Sequence, residues 1–365
     1  MKKDSFERIC ERAIEGYIVS YEEGIRLYNE APLQLLVYTA DTIRKKLHPD
    51  NKAGWIIDRN VNITNICFSQ CLFCNFCRKK TSPDSYVTTM EQYRQKIDEL
   101  FNLGGDQLLL QGGMNPRLGL SFYINLFTSL KKEYPALKLH ALGPPEIVYL
   151  SRKEGMTYSE VLQELIRAGL ESLPGAGAEI LSDRVRKTVS PLKATSGEWL
   201  NVMREAHRLN LPTSATMMAG HMETREERIM HLILLRDVQA EKPEGSYGFI
   251  SFIPWPFQDK NTRLAMKYGI RNNLNGMEYI RLISISRIML NNIPNIQASL
   301  LTVGKDIAMM SLHSGANDLG SVMIEENVVS AAGSTYRFDA ATIQEIIKTA
   351  GFIPVKRNQK YEPLN

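Results

Sequence analysis

The sequence predicts an α/β protein built on a (β/α)8 TIM-type barrel with an N-terminal helical cap. From residue 55 onward, short apolar runs alternate with amphipathic segments whose apolar residues recur every three or four positions. Eight such strand–helix units within about 270 residues match the dimensions of a parallel barrel. The predicted strands are 55–64, 107–111, 138–142, 171–174, 213–218, 247–253, 296–301 and 319–324. An open barrel of six units is the main alternative.

Three parts are predicted along the chain. Residues 1–50 form the helical cap, residues 51–350 form the barrel, and residues 351–365 form a C-terminal tail. In the cap, Ser20-Tyr-Glu-Glu23 has the pattern of a capping box and predicts the start of the second helix. Cys10 lies on an apolar helix face and is interpreted as a small buried residue.

Composition excludes several classes of protein. The 365 residues are 44% hydrophobic and 23% charged, which is typical of a globular protein. Its 44 basic and 40 acidic residues are nearly balanced and not clustered, so no nucleic-acid partner is predicted. No apolar run approaches the roughly 18 to 20 residues that span a bilayer, and the first residues lack a secretory signal. We therefore predict a cytoplasmic protein with no membrane partner.

Four of the five cysteines fall within residues 67–77. Cys67, Cys71 and Cys74 have the spacing C-x3-C-x2-C, which lets one loop bind three corners of an iron–sulfur cluster and leaves the fourth iron open for another ligand. Such crowding in one loop argues against a disulfide framework. A structural zinc site is the alternative, but no second ligand pair follows in the sequence. Cys77 is interpreted as a packing residue or free thiol, with a fourth ligand as the other possibility.

The cysteine loop follows the first predicted strand, so it lies at the C-terminal mouth of the barrel, where active sites of this fold occur. Residues that follow the other strands are expected to face it. Those singled out are Gly112, Gly113, His140, Gly175, Glu179, Thr216, Gly220, His221, Glu223 and Glu325.

Three of these mouth segments carry open alternatives. His221 and Glu223 are the best acid/base candidates, and the equal alternative is that Glu223 braces the loop. Residues 252–257 form an aromatic rim ended by prolines, which suits either an aromatic substrate or wall packing. A carboxylate pair, Glu325-Glu326, follows the last strand, and the alternatives there are a role in the site or a merely solvated rim. Glu179 is expected to open a helix.

The segment C-x3-C-x-Phe-C, with Phe73 before the last cysteine, resembles the signature of the radical S-adenosylmethionine (SAM) enzymes. The resemblance implies that SAM binds the open iron, that Phe73 lies beside the adenine, and that Gly112 and Gly113 receive the amino group of SAM. It also implies reductive cleavage of SAM to a 5′-deoxyadenosyl radical. We add Gly175, Glu179, Thr216 and Gly220 as predicted SAM contacts.

A closer resemblance, over residues 22–351, is to the dehypoxanthine futalosine cyclases of menaquinone biosynthesis. It rests on the segments Asp58-Arg-Asn60, Gln111-Gly-Gly-Met-Asn115, Pro174-Gly-Ala-Gly-Ala-Glu-Ile-Leu181, Gly220-His-Met-Glu-Thr224, Phe252-Ile-Pro-Trp-Pro-Phe257 and Gly315-Ala-Asn-Asp-Leu-Gly-Ser321. Aminofutalosine synthase and the deazaflavin-chromophore synthase subunit share much of this pattern and remain alternatives. A non-enzymatic cluster or zinc protein is the remaining class.

This resemblance implies a ring closure within the substrate dehypoxanthine futalosine. The radical removes the C4′ hydrogen of the sugar, the resulting carbon radical adds to the benzoate ring, and loss of an electron and a proton restores aromaticity. The predicted proton acceptor is His221, Glu223 or Glu325, and Arg59, Arg78 and His140 are predicted to bind substrate. The implied cofactors are a [4Fe–4S] cluster and SAM, with an external electron donor such as flavodoxin or ferredoxin.

Overall fold

The computed structural model describes residues 4–322, 324–325 and 338–364. Its strands are β1 (Lys52–Ile56), β2 (Asp58–Asn62), β3 (Gln107–Gln111), β4 (Lys138–Ala141), β5 (Thr213–Ala219), β6 (Phe249–Pro256), β7 (Asn295–Ile296), β8 (Asp318–Ser321) and β9 (Ile353–Lys356). The helices before β5 are α1 (Phe6–Ile14), α2 (Tyr21–Glu30), α3 (Leu33–Leu47), α4 (Met90–Asn102), α5 (Leu120–Glu133), α6 (Pro144–Glu154), α7 (Tyr158–Ala168), α8 (Asp183–Val189) and α9 (Ser196–Arg208). The later ones are α10 (Arg225–Ala240), α11 (Arg263–Tyr268), α12 (Gly276–Met289), α13 (Leu300–Leu312) and α14 (Ala340–Thr349).

The strands close into a parallel barrel. Pairing runs from β2 through β3 to β4, and from β5 through β6 to β7. Single parallel bridges at Ser172 and Leu173 join β4 to β5, and one between Gln297 and Asp318 joins the end of β7 to β8. β8 then pairs with β1, the strand that continues into β2. The predicted barrel of eight parallel segments is confirmed.

Two predicted strands are much shorter than expected. The fourth is reduced to the bridges at Ser172 and Leu173, and the seventh ends at Ile296. Residues 300 and 301, predicted as strand, begin α13 instead. The first predicted strand is interrupted at Ile57, where β1 ends and β2 begins.

β6 runs through two prolines that were predicted to end it. Pro254 and Pro256 pair in register with Met217 and Ala219 of β5. The Phe252 carbonyl oxygen accepts a hydrogen bond from the Gln297 N–H on the β7 side. Alternate residues of a strand direct their backbone groups to the same side, so residues 254 and 256 also face β7. Because β7 has already ended at Ile296, the missing proline N–H groups cost no ladder hydrogen bond there.

The N-terminal helices cover the outer face of the barrel helices α10 and α12. Val19 and Tyr28 accept hydrogen bonds from Arg236 and Arg228 of α10. The predicted capping box is present, since Ser20 and Glu23 exchange both hydrogen bonds at the start of α2. Cys10 is buried among apolar neighbours in this layer. Among the residues described, none of the helices is both long and apolar enough to cross a membrane.

The end of the chain, set apart as a tail in the sequence analysis, extends the sheet and then enters the barrel. β9 pairs in parallel with β1, with Lys52 opposite Ile353. After β9 the chain turns back on itself, and an antiparallel bridge joins Arg357 to Pro363. Between these two residues it contacts the barrel interior at the end where the strands begin, because Gln359 bonds to Gln107, the first residue of β3. We call residues 357–361 the C-terminal plug.

Candidate active site

A cavity of about 380 Å³ occupies the barrel interior. The cysteine loop lines it at the end where the strands finish, and three side chains of the C-terminal plug line it at the opposite end. Those three are Arg357, Gln359 and Tyr361. The barrel therefore holds a deep site that the end of the chain closes from below.

The cysteine loop is held by its own backbone and by two neighbours. A parallel bridge joins Ile66 to Arg78, and the Arg78 guanidinium donates to the carbonyl oxygens of residues 75, 76 and 77. Arg263 of α11 donates to the Cys71 carbonyl oxygen at 3.1 Å. The Leu72 N–H donates to Val189 at 2.8 Å. These bonds hold the loop in place, and the Arg78 guanidinium is one of the groups that hold it.

Cys67, Cys71 and Cys74 all line the cavity, as does Cys77. The Met114 N–H lies 3.3 Å from the sulfur of Cys67, and the Ser69 hydroxyl lies 3.0 Å from that of Cys71. In the described part of the chain, no three His, Cys, Asp or Glu side chains converge on one point as single-ion ligands must. The chemistry of the donor set, three thiols of one loop that line the same cavity, fits three corners of an iron–sulfur cube.

Cys77 acts on Cys67 in this arrangement. A hydrogen bond from Cys77 lowers the pKa of Cys67 to about 6. Burial, in contrast, raises the pKa of Cys71 to about 11. The geometry gives Cys77 a supporting contact to one predicted ligand.

Gly112 and Gly113 line the cavity where β3 meets the cysteine loop. A side chain on Gly113 would place its Cβ 2.2 Å from the Ile66 carbonyl oxygen and 2.8 Å from the Cβ of Cys67. On Gly112, a Cβ would lie 3.0 Å from the Thr64 carbonyl oxygen. These glycines are therefore needed for the close approach of β3 to the cluster loop, in addition to any contact with SAM.

Glu179 lines the cavity but does not begin a helix, contrary to the prediction. It stands in a loop at φ 44°, and α8 begins four residues later at Asp183. Its carboxylate forms an ion pair of 2.7 Å with Lys193, whose ammonium lies 5.4 Å from the ring centroid of Phe73. Burial opposes ionisation, but Lys193 outweighs it and holds the pKa of Glu179 below its usual range. Lys193 lies in the loop between α8 and α9, and no motif in the sequence marked it.

The other predicted SAM contacts divide into two groups. Thr216 of β5 lines the cavity, and its hydroxyl donates to the Gly175 carbonyl oxygen at 2.6 Å. Gly175 itself is not among the lining residues, because it packs against β5. A Cβ at this position would lie 2.4 Å from the Ser214 carbonyl oxygen. Gly220 stands at φ 95° against Asn272, also away from the lining.

His221 and Glu223 lie beside the cavity without lining it. Glu223 accepts from the backbone N–H groups of Gly220 and His221, and from the guanidinium of Arg228. The His221 ring contacts the Met218 carbonyl oxygen at 3.0 Å and is fully enclosed. Of the two interpretations left open by the sequence, these contacts favour the one in which Glu223 braces the loop after β5.

Arg59 and Glu325 also lie outside the lining residues. Successive side chains of a strand point to opposite faces, and in β2 the inward positions are Asp58, Asn60 and Asn62. Arg59 therefore points outward, where it pairs with Glu99 of α4 and with Glu325 at 3.2 Å. Lys96 also pairs with Glu325. Glu326, the second carboxylate of the predicted pair, lies outside the described residues.

His140 does line the cavity, as predicted. Its Nδ1 lies 2.7 Å from the Ser172 hydroxyl, and its Nε2 lies 3.4 Å from the side-chain nitrogen of Gln359. Burial lowers the pKa of His140 to about 3, so the ring is neutral at physiological pH. His140 belongs to a polar layer deep in the barrel, whose members come from distant parts of the sequence and were not predicted to lie together.

The comparisons with known proteins agree with this geometry. The radical SAM superfamily model matches residues 61–235, and the model of the CofH/MqnC C-terminal region matches residues 246–365. A cyclic dehypoxanthine futalosine synthase of Streptomyces coelicolor is 38% identical over 366 aligned positions, which cover 100% of this chain and 90% of the relative. The chain belongs to the CofH/MqnC family of radical SAM enzymes.

Two further similarities bear on fold and on specificity. Solved methylornithine synthase (PylB) has a TM-score of 0.71 at 18% identity, covering 96% of this chain and 98% of that one, which supports the fold alone. A 5-amino-6-(D-ribitylamino)uracil–L-tyrosine 4-hydroxyphenyl transferase of Archaeoglobus fulgidus is also 38% identical, over 89% of this chain and 92% of its own length. Members of this radical SAM family thus act on different substrates at similar identity.

The family implies a [4Fe–4S] cluster and SAM, and the residues present fit both. Cys67, Cys71 and Cys74 would hold the cluster. Phe73, Gly112, Gly113, Glu179 and Thr216 line the same cavity and would be the candidates to hold SAM.

Proposed function

We propose that this radical SAM enzyme converts dehypoxanthine futalosine to its cyclic product by joining the C4′ carbon of the sugar to the benzoate ring. The observation that carries the proposal is the full-length similarity to cyclic dehypoxanthine futalosine synthase. The cavity supports it, because about 380 Å³ of space reaches from the cysteine loop to the C-terminal plug, which is within the usual size of a small-molecule site.

The chemistry that the bound cofactor pair supplies is one-electron cleavage of SAM, which provides the hydrogen-abstracting radical. The part played by the chain is to position and enclose the substrate. A carbon radical reacts with whatever lies within near-attack distance, so the walls must hold C4′ and the arene together. Apolar wall positions such as Leu109, Ile253 and Leu319 offer no polar group to compete, and the barrel keeps bulk water away.

We propose Glu146 as the group that accepts the ring proton, in place of the three residues suggested by the sequence. Glu146 lies in the first turn of α6 and lines the cavity. Burial raises the pKa of Glu146 to about 7, which suits a general base near neutral pH. His140 is too weak a base, and Lys193 makes Glu179 a weak base as well, because it holds the pKa of that carboxyl below its usual range.

Glu146 gives the reaction a pH dependence. The carboxyl becomes a base only as the pH rises through about 7, so kcat/KM for product formation should rise over that interval and then level off. Glu146→Gln should remove this step and lower product formation by about a hundredfold or more, while deoxyadenosine still forms. Glu171→Gln is the matched control, because Glu171 is partly buried but lies outside the cavity lining. An unchanged pH profile in Glu146→Gln would assign the proton to another acceptor.

A substrate comparison tests the reaction itself. The reduced enzyme, given SAM and dehypoxanthine futalosine, should form deoxyadenosine and a product that has lost two hydrogens. Deuterium at C4′ should appear in the deoxyadenosine, as mass spectrometry would show. Tyrosine with the ribitylaminouracil, or the carboxyvinyloxybenzoate used by aminofutalosine synthase, should give no coupled product. Turnover with one of these and none with dehypoxanthine futalosine would overturn the proposal.

An external one-electron donor, a small flavodoxin or ferredoxin, is part of this proposal. Reductive cleavage of SAM consumes one electron, and restoring the aromatic ring releases one, which would return to the cluster. The donor is needed to supply the electron that first reduces the cluster. A reducing compartment such as the cytoplasm suits both the donor and the five free thiols.

A further inference from the structure

The closed end of the cavity is built from neutral hydrogen-bonding groups around one fixed ion pair. Arg357 binds Asp318 through two bonds, Nε to Oδ2 at 2.5 Å and Nη2 to Oδ1 at 2.8 Å. Its guanidinium also lies 3.7 Å from the ring centroid of Tyr361. Both charged side chains are buried. The Arg357 charge is therefore committed to Asp318 and is not available to a ligand carboxylate.

Asp58 adds a second acid at this end. Ser321 donates to its carboxylate, and burial raises the pKa of Asp58 above its usual range. Two acids thus stand beside one arginine. A further carboxylate brought here would lose its hydration without gaining a cation, which is costly inside a protein.

Neutral polar groups, in contrast, are concentrated at and just above this level. The cavity lining there includes Asn60, Ser214, Ser251, Gln297 and Gln359, with the neutral ring of His140. Amides and hydroxyls of this kind both donate and accept, which matches the hydroxyl groups of a sugar.

Asn60 gives this layer an unsatisfied group. The residue is only 3% exposed, and within the described chain its Oδ1 has no hydrogen-bond partner. A buried amide oxygen without a partner costs free energy unless a ligand or water supplies a donor. Because Asn60 faces the cavity, a bound ligand is in position to supply it.

The height of Asn60 in the barrel also fits a substrate site. Inward residues of β2 rise from Asp58 at the closed end to Asn62 near the cysteine loop, a distance of about 13 Å for four residues of strand. Asn60 lies midway, about 7 Å from either. A ligand held at Asn60 and Gln359 therefore lies below the space beside the cysteines and extends towards it.

Resting on the proposed function, we infer that Asn60 and Gln359 bind the hydroxyl-bearing sugar end of the substrate at the closed end of the barrel. The benzoate carboxylate then points away from the C-terminal plug. These two amides are positioning residues that fix which end of the substrate enters first.

Substrate analogues and three variants test this orientation by equilibrium binding to the enzyme loaded with cluster and SAM. Asn60→Ala and Gln359→Ala should each weaken binding of the parent substrate about tenfold, the usual effect of one lost hydrogen bond. An analogue lacking the contacted ring hydroxyl should bind Asn60→Ala and the unmodified enzyme equally. The ratio of the affinities for the substrate and for its benzamide analogue should be similar in Asn60→Asp and in the unmodified enzyme, since a carboxylate still accepts from a hydroxyl.

Gln344→Ala, on α14 and outside the cavity lining, is the matched control, and iron content reports correct assembly of each variant. Two results would overturn the inference. One is unchanged affinity in both alanine variants. The other is an Asn60→Asp enzyme that binds the substrate far more weakly than its benzamide analogue, because that places the carboxylate at the closed end. A parent enzyme that binds the substrate but makes no cyclic product would instead refute the proposed reaction.

Discussion

Alanine at Cys67, Cys71 or Cys74 should abolish assembly of the iron–sulfur cluster. Each of these thiols lines the same cavity in a loop held by backbone hydrogen bonds, and each would supply one iron with its protein ligand. Removing one of three thiolates leaves two irons without a protein ligand. Iron and sulfide content after anaerobic reconstitution, together with the visible absorbance of the cluster, measures the effect.

Cys77→Ala is the matched control for this prediction. The Cys77 sulfur lies in the same loop and contacts Cys67, so the alanine variant should lose only a hydrogen bond to that ligand. Cluster content should therefore stay close to that of the unmodified protein. If Cys77→Ala lost the cluster and one of the other three variants kept it, the ligand assignment would have to change.

Arg357→Ala should destabilise the folded protein by about 3–5 kcal/mol, because it leaves the carboxylate of Asp318 buried without its partner. The loss also removes the stacking contact with Tyr361 and loosens the C-terminal plug. Urea unfolding followed by circular dichroism measures the change in the free energy of unfolding.

Arg204→Ala provides the comparison for that value. Arg204 and Glu241 form a similar two-bond pair, but on the surface, where Arg204 is 28% and Glu241 is 50% exposed. Exposed pairs contribute about 0–1 kcal/mol, so this variant should unfold nearly as the unmodified protein does. If the two variants lost equal free energy of unfolding, burial of the Arg357 pair would not explain its contribution to stability.

The sequence predicted the barrel and the cluster loop because both leave local patterns. Apolar runs alternating with amphipathic helices specify repeated strand–helix units, and three cysteines within eight residues specify a ligand loop. The glycines at 112 and 113 followed from their place one unit later. Each of these signals lies within a short stretch of chain.

The polar interior of the barrel escaped prediction for a physical reason. The segment Asp58-Arg-Asn-Val-Asn62 has polar residues on both faces of β2, so hydrophobic alternation cannot show which face is inward. Arg59 was therefore assigned to the substrate, although Asp58, Asn60 and Asn62 face the cavity.

Other contributors to the site depend on contacts between distant segments. Lys193 meets Glu179 across a loop with no regular pattern, and Arg357 reaches Asp318 only because β9 pairs with β1. The spacing of these residues in the sequence does not predict either ion pair. The prolines of β6 were misjudged because their tolerance depends on where a neighbouring strand ends.

The pairing of β9 with β1 also has a consequence for synthesis on the ribosome. β1 lies between β8 and β9, both of which belong to the last part of the chain. Lys52 meets Ile353 only after almost the whole polypeptide has emerged, so β1 has no native strand neighbour during translation. Contacts of such long sequence separation form slowly and expose unpaired strand edges in the meantime. The last step in folding is therefore expected to be the one that seals the chamber, and a nascent chain truncated before β8 would leave its first strand open to aggregation.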